Sequence, residues 1–190
     1  MLTLGSFFDI IHRTRKSQFQ NFMKSARGHL CWNYYSIAVE IIIQPLFTGL
    51  NDNTLNNLVN DVSREFEHIR VTITSVVNNF SNSSLKSDAA LQSTLNSDRN
   101  QWNSPKLLEW FYKKFMHKKD KTVLLILDVD AYSNGLNFVL GEAFPKGGLG
   151  AVYLPRIKEE FYGLKPNDKL FYERMVKECV HELGHTFGFK

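Results

Sequence analysis

A chain of 190 residues with 43% hydrophobic content and 15 Phe has enough apolar material for one domain with a real core, and two full domains would be cramped. Its formal charge of +4 is concentrated, since residues 1–30 hold Arg13, Arg15, Lys16, Lys24 and Arg27 against Asp9 alone while the rest balances at 18 against 18; this argues against a basic surface that tracks nucleic acid. Cys31 and Cys179 stand far apart with no C-x-x-C, which excludes a disulfide framework and a cysteine-rich zinc site and suits a reducing compartment; no run approaches the roughly 18 apolar residues of a membrane span.

Residues 1–30 place Phe7, Phe8, Ile11, Phe19, Phe22 and Met23 among the cations. They read as a loosely ordered basic extension, or else as an amphipathic helix suited to a membrane surface, a transit peptide or a docking arm. The apolar residues precede the positive charge, so the segment is not a good secretory signal. From Tyr34 to Ile43 the run of β-branched and apolar residues predicts a first strand, ended by Pro45. Leu55, Leu58, Val59, Val62 and Phe66 then follow helical spacing behind the candidate caps Asn51, Asp52 and Asn53. Ile69, Val71, Ile73, Val76 and Val77 predict a second strand, and the order strand, helix, strand calls for a parallel crossover.

Asn78 to Asn103 is polar and rich in Asn and Ser, and reads as a long loop with a short turn around Ala89 to Leu95. The N-x-S triplets at Asn79 and Asn82 carry no meaning in a chain read without a secretory signal. Ser104 as cap and Pro105 open a second helix, with Leu107, Leu108, Phe111, Tyr112 and Phe115 inward and Lys113, Lys114, His117, Lys118 and Lys119 at its basic end. Thr122 to Leu127 is the unbroken apolar run of a central parallel strand. Asp128 and Asp130 close it, as cation ligands or, as favoured by Asn134-Gly135, as turn formers. Two short strands follow, Leu136 to Leu140 and Gly147 to Leu154. Their bordering glycines suggest edge positions, either an ordinary sheet margin or a cleft rim to which a peptide adds as a further strand.

The last segment carries the chemistry. Asn167 or Asp168 caps a helix that no proline interrupts up to Gly188, and it contains His181-Glu182-Leu183-Gly184-His185. In H-E-x-x-H the histidines lie one turn apart on one face and can grip a zinc ion, while Glu182 can take the proton of a water held beside it. The bland alternative is a surface helix with two solvated histidines. Tyr172, Met175, Val176, Cys179, Val180, Leu183 and Phe187 gather on the core side, and Arg174, Lys177, Glu178, His181 and His185 on the other. Gly188 permits a left-handed exit from the helix, the turn by which the extended motif H-E-x-x-H-x-x-G-x-x-H brings a third histidine to the metal.

The run Asp128-Val129-Asp130, Gly135 to Ala143, Arg156, Glu173-Arg174, Lys177-Glu178 and His181 to Gly188 resembles the archaemetzincins, a branch of the metzincin zinc peptidases. The likeness is specific over Thr122 to Phe189 and consistent from Tyr34 to Phe115. It implies an α/β (α+β mixed sheet) fold of metzincin or zincin type: a twisted, mostly parallel sheet with one antiparallel edge strand, two packing helices and an active-site helix beneath the sheet. It implies a zinc-dependent peptidase in which His181 and His185 bind the catalytic zinc, Glu182 is general base, and the edge strand Leu136, Asn137, Phe138, Val139, Leu140 and Gly141 holds a peptide or protein substrate. On this reading residues 1–30 are an extension and 31–190 a catalytic domain without its C-terminal subdomain, monomeric and cytoplasmic, with neither nucleic acid nor a membrane span among its partners. The family continues to a third zinc-binding histidine, which would fall at position 191, then to cysteines for a second, structural zinc and a methionine turn. The expectation for the 190-residue polypeptide purified without added metal is therefore well under one zinc per chain and little activity. The rival reading is a catalytically inactive, metal-free relative that binds peptides or proteins.

Overall fold

Ile41 and Ile43 are wholly buried and alternate with half-buried Glu40 and Ile42, the period of two that makes Val39–Leu46 a strand, β1. The computed structural model describes residues 39–66, 71–75, 87–116, 121–144 and 148–187. After β1 come α1 (Asp52–Glu65), β2 (Val71–Ser75), a short α2 (Ala89–Gln92), β3 (Leu95–Asn96), β4 (Gln101–Asn103), α3 (Ser104–Phe115) and β5 (Lys121–Leu127). Then follow β6 (Ala131–Tyr132), β7 (Gly141–Phe144), β8 (Leu149–Tyr153), 3₁₀ turns at Pro155–Ile157 and Glu159–Tyr162, and α4 (Asp168–Thr186). The extension at 1–30, Cys31, the strand start at Tyr34, Ile69, Val76 and Val77, the Asn79 and Asn82 triplets, His117 to Lys119, Gly147 and the Gly188 turn lie outside the described residues.

The main sheet runs β2-β1-β5-β8-β7, with β7 antiparallel to β8 and the other neighbours parallel. This is the mostly parallel sheet with one antiparallel edge strand that the resemblance implies. Alternation divides the apolar strand residues between two faces. Leu125, Leu127, Leu149, Ala151 and Tyr153 pack with Leu107, Leu108 and Phe111 of α3. On the other face Gly150 and Leu124 meet α4, which is tied to α1 by Tyr172 Oη donating to Asp61 Oδ2 at 2.6 Å and by the Phe66 and Phe187 rings, 5.9 Å apart. Each wholly buried leucine or isoleucine in these layers contributes roughly 1.5–3 kcal/mol over an exposed one. No helix among the described residues is long and apolar enough to cross a membrane.

Several elements differ from the sequence reading. Pro45 lies inside β1, because the β5 ladder continues to the Leu46–Leu127 pair after β2 has stopped at the Ile43–Ser75 pair, and proline is tolerated at such a margin. The described part of the Asn- and Ser-rich stretch is not loop: α2, capped by Asp88, leads into a small sheet β3-β4-β6, whose strands of two or three residues leave no periodic signature. Asn103, not Ser104, caps α3, its Oδ1 accepting from Lys106 N at 3.1 Å. Ser104 is wholly buried and shares a hydrogen bond of 2.6 Å with Tyr153 Oη. Tyr112 is exposed rather than inward and leans on Phe144 of β7.

The two strand-end carboxylates are ion-pair anchors rather than turn formers. Lys158 Nζ lies 2.9 Å from both Asp128 oxygens, and Arg156 donates to Asp130 through Nε at 2.7 Å and Nη2 at 2.9 Å. The glycine borders also misled: β8 is buried along its whole length, between β5 and β7.

Candidate active site on helix α4

α4 starts where Asn167 Oδ1 accepts from Leu170 N at 3.1 Å. The i, i+4 spacing brings the His181 and His185 rings to a centroid separation of 4.3 Å at an interplanar angle of 74°, with their Nε2 atoms 3.0 Å apart. Glu182 is 3% exposed, and its Oε1 lies 3.9 Å from His181 Nε2. A carboxylate and two imidazole nitrogens thus converge at the rim of the sheet.

The sheet permits this approach through two glycines. A Cβ added at Gly141 would fall 2.5 Å from Glu182 Cγ and 2.6 Å from its Oε1. At Gly150 it would meet Leu124 Cδ1 at 3.2 Å, Thr186 Cγ2 at 3.5 Å and Glu182 Cβ at 3.6 Å. Any side chain at 141 would displace the Glu182 carboxylate. Gly150 was missed in the sequence; the signal available was a glycine inside a strand, which marks close approach of another element.

The rest of α4 departs from the simple two-faced wheel. Arg174 is 4% exposed and donates through Nη1 to Glu159 Oε1 at 2.5 Å and to Ile157 O at 3.1 Å. The 3₁₀ turns before the helix cover part of its polar side, so buried Arg174 and Glu182 flank the apolar stripe. Cys179 is wholly buried, and burial pushes its thiol up, with Glu178 and Glu182 adding to the effect; the sulfur stays protonated on the core side.

The segment Leu136 to Gly141 is not a continuous strand. Gly135 takes φ of +78° and turns the chain out, leaving Leu136 56% and Phe138 37% exposed. Val139 makes one antiparallel bridge to Ala131, and regular pairing begins at Gly141 opposite Val152. The ladder edge is therefore Gly141–Phe144, downstream of the predicted strand, because Asn137 and Val139 spend hydrogen bonds on other elements and only Leu140 reaches β8. Asn137 O accepts from Arg99 Nη2 at 2.8 Å and Gln101 Nε2 at 3.1 Å, Val139 N donates to Ala131 O at 3.0 Å, and Leu140 O accepts from Tyr153 N at 2.8 Å. Gly141 itself joins this segment to Glu182.

Glu142 points to the opposite face of β7 from Gly141. Its Oε1 accepts from Ser133 Oγ at 3.0 Å, away from the imidazoles. Among the described residues no group of three or more His, Cys, Asp or Glu side chains is placed to hold a metal. The two imidazoles nevertheless suit one: zinc with Zn–N bonds of about 2.0–2.1 Å in tetrahedral geometry separates two nitrogens by roughly 3.3 Å, close to what α4 presents.

A sequence model of peptidase family M54 matches residues 54–190, a stretch that includes β7, β8 and all of α4. The chain belongs to that family. Among M54 relatives, the archaemetzincin of Sulfolobus acidocaldarius is 46% identical over 93 residues, 49% of this chain and 51% of that protein. That of Saccharolobus islandicus is 35% identical over 123 residues, 61% of this chain and 66% of the relative. The chain thus spans from about half to just under two thirds of these archaemetzincins. Among solved structures, the archaemetzincin of Archaeoglobus fulgidus complexed with malonate superposes with a TM-score of 0.57 at 31% identity, covering 80% of this chain and 79% of that one.

Proposed function

We propose that this M54 chain carries the metal-binding site of a zinc-dependent peptidase, with His181 and His185 as zinc ligands and Glu182 as general base. The observation that carries the proposal is the convergence of His181 Nε2 and His185 Nε2 at 3.0 Å beside the buried Glu182 carboxylate on its glycine platform. Zinc, when bound, supplies a Lewis acid that polarises the scissile carbonyl. The side chains do the rest. Glu182 takes a proton from the attacking water and returns it to the leaving amine, a task for which its burial against Gly141 and Gly150 fixes both position and approach. The margin of β7, together with Leu136, Asn137, Phe138, Val139 and Leu140, is the surface along which an extended peptide would lie, since an edge strand offers backbone groups for strand addition.

Glu182→Gln tests the assignment. The variant should bind zinc as the parent does and lose roughly 10²–10⁴-fold in peptide hydrolysis, with zinc measured by elemental analysis and turnover on a fluorogenic peptide. Undiminished cleavage by E182Q would remove Glu182 from the chemistry. A second reading, a peptide-binding module without chemistry, draws on the limited donor set, two imidazoles among the described residues. Peptide binding by the parent with no hydrolysis at saturating zinc would favour it.

A further inference from the structure

We infer that Arg156 is the positioning residue of the segment Leu136–Leu140, a role that rests on reading this segment as the peptide-binding margin. Arg156 lies in the 3₁₀ turn Pro155–Ile157, just beyond β8. Its guanidinium is fixed by a two-point fork on Asp130, Nε to Oδ1 at 2.7 Å and Nη2 to Oδ2 at 2.9 Å, with the two side chains only 20% and 15% exposed. A bidentate fork sets the plane of the cation as well as its place. The Phe138 ring centroid lies 4.4 Å from the cation and that of Phe161 4.6 Å. Phe138 and Phe161 are 37% and 42% exposed, so the cation, rather than an apolar core, is what their faces rest on.

The same carboxylate also reaches the backbone next to Phe138. Gln101 Nε2 donates to Asp130 Oδ2 at 3.0 Å and to Asn137 O at 3.1 Å. Arg99 completes the arrangement, Nε to Gln101 Oε1 at 2.8 Å and Nη2 to Asn137 O at 2.8 Å. Asp130 therefore governs two successive residues of the segment by two routes, the Asn137 carbonyl through Gln101 and the Phe138 ring through Arg156. The small sheet β3-β4-β6 is the frame that carries Gln101 and delivers the chain from Asp130 to Ala131. What the described part of the Asn- and Ser-rich stretch builds is a clamp on the segment whose last neighbour, Gly141, touches Glu182.

Arg156→Met, Arg156→Lys and the double variant Asp130→Asn/Arg156→Met, each in the full 190-residue chain, test this by hydrogen–deuterium exchange. R156M should raise exchange roughly tenfold at Val139, whose amide donates to Ala131 O at 3.0 Å, with amides 175–183 of α4 unchanged as the control for folding. R156K keeps the charge but loses the fork, and should fall between parent and R156M. The double variant should match R156M at this amide, because an Asn at 130 keeps an oxygen that can accept from Gln101 Nε2, so only the ion pair that R156M has already broken is lost. Unchanged exchange at Val139 in R156M, with α4 intact, overturns the inference. So does R156K equal to the parent, because charge alone would then suffice. On the zinc-loaded protein, R156M should raise KM for a peptide about tenfold with kcat little changed. Loosened exchange with an unchanged KM leaves Arg156 in its role and removes 136–140 from substrate binding. Absence of hydrolysis in the zinc-loaded parent counts against the peptidase reading while the exchange result still stands.

Discussion

Gly141 and Glu182 touch so closely that a single methyl group at position 141 would lie 2.5 Å from Glu182 Cγ. The atoms in its way belong to a side chain, so Gly141→Ala should be absorbed by swinging the carboxylate rather than by unfolding. We expect a stability loss of about 1–2 kcal/mol and a fall in peptide turnover of about 10²-fold, the scale set by misplacing a reacting group by an ångström. Gly150→Ala, whose nearest contact would be Leu124 Cδ1 at 3.2 Å, should cost similar stability and much less turnover. Denaturant titration beside kcat for the two variants separates the effects; equal losses of turnover would mean that Gly141 has no special relation to Glu182.

His181→Ala and His185→Ala should each weaken zinc binding by at least about tenfold, since each removes one of two converging nitrogens. Competition against a chromophoric chelator measures this directly. An unchanged affinity in either variant would place the metal elsewhere.

Tyr153 gives a pH dependence. It is 1% exposed, and burial pushes its phenol up; the Ser104 bond opposes this, while the Glu142 and Glu182 charges add to it. A group whose folded value is raised above the unfolded value of about 10 contributes fully below that pH and loses its contribution as pH rises further. The decline is about 1.4 kcal/mol per pH unit. Tyr153→Phe should be less stable than the parent by about 1–2 kcal/mol at pH 8, because Ser104 loses its buried partner. Above pH 10 the gap should close as the parent loses stability. Urea midpoints at pH 8 and pH 11 read this, and a gap that does not narrow would contradict it.

Arg174→Met leaves Glu159 beside an apolar chain. Breaking a buried ion pair from one side is costly, and with Glu159 16% exposed we expect a loss of about 2–4 kcal/mol. The double variant Arg174→Met/Glu159→Gln should recover part of it. A double variant no better than the single one would show that the bond to Ile157 O carries the stability.

Long elements with one environment were legible in the sequence. α1 shows its stripe from Leu55 to Phe66, β5 its unbroken apolar run, and α4 its cap at Asn167. The pair His181 and His185 follows from helical spacing alone. Features that depend on residues distant in sequence were not legible. The burial of Arg174 requires the 3₁₀ turn at Glu159, the burial of β8 requires β7 on its outer side, and the irregular path of 136–140 requires Arg99 from the β3–β4 turn and Gln101 from β4. Strands as short as β3, β4 and β6 have no period to detect and form only because neighbours supply their partners.

The pairing of β1 with β5 joins Glu40 to Lys121, 81 positions apart. Two adjacent strands at the centre of the sheet therefore meet only after a long loop has closed, and the entropy of that closure is spent before their contacts repay it. The β7–β8 pairing, by contrast, joins Phe144 to Leu149 across a short connection. The margin that carries Gly141 and Gly150 can thus form locally and early, whereas the sheet it borders assembles more slowly, once the long loops of its parallel pairings have closed. During that interval the central strands wait as unpaired apolar edges, and refolding yield should fall as protein concentration rises.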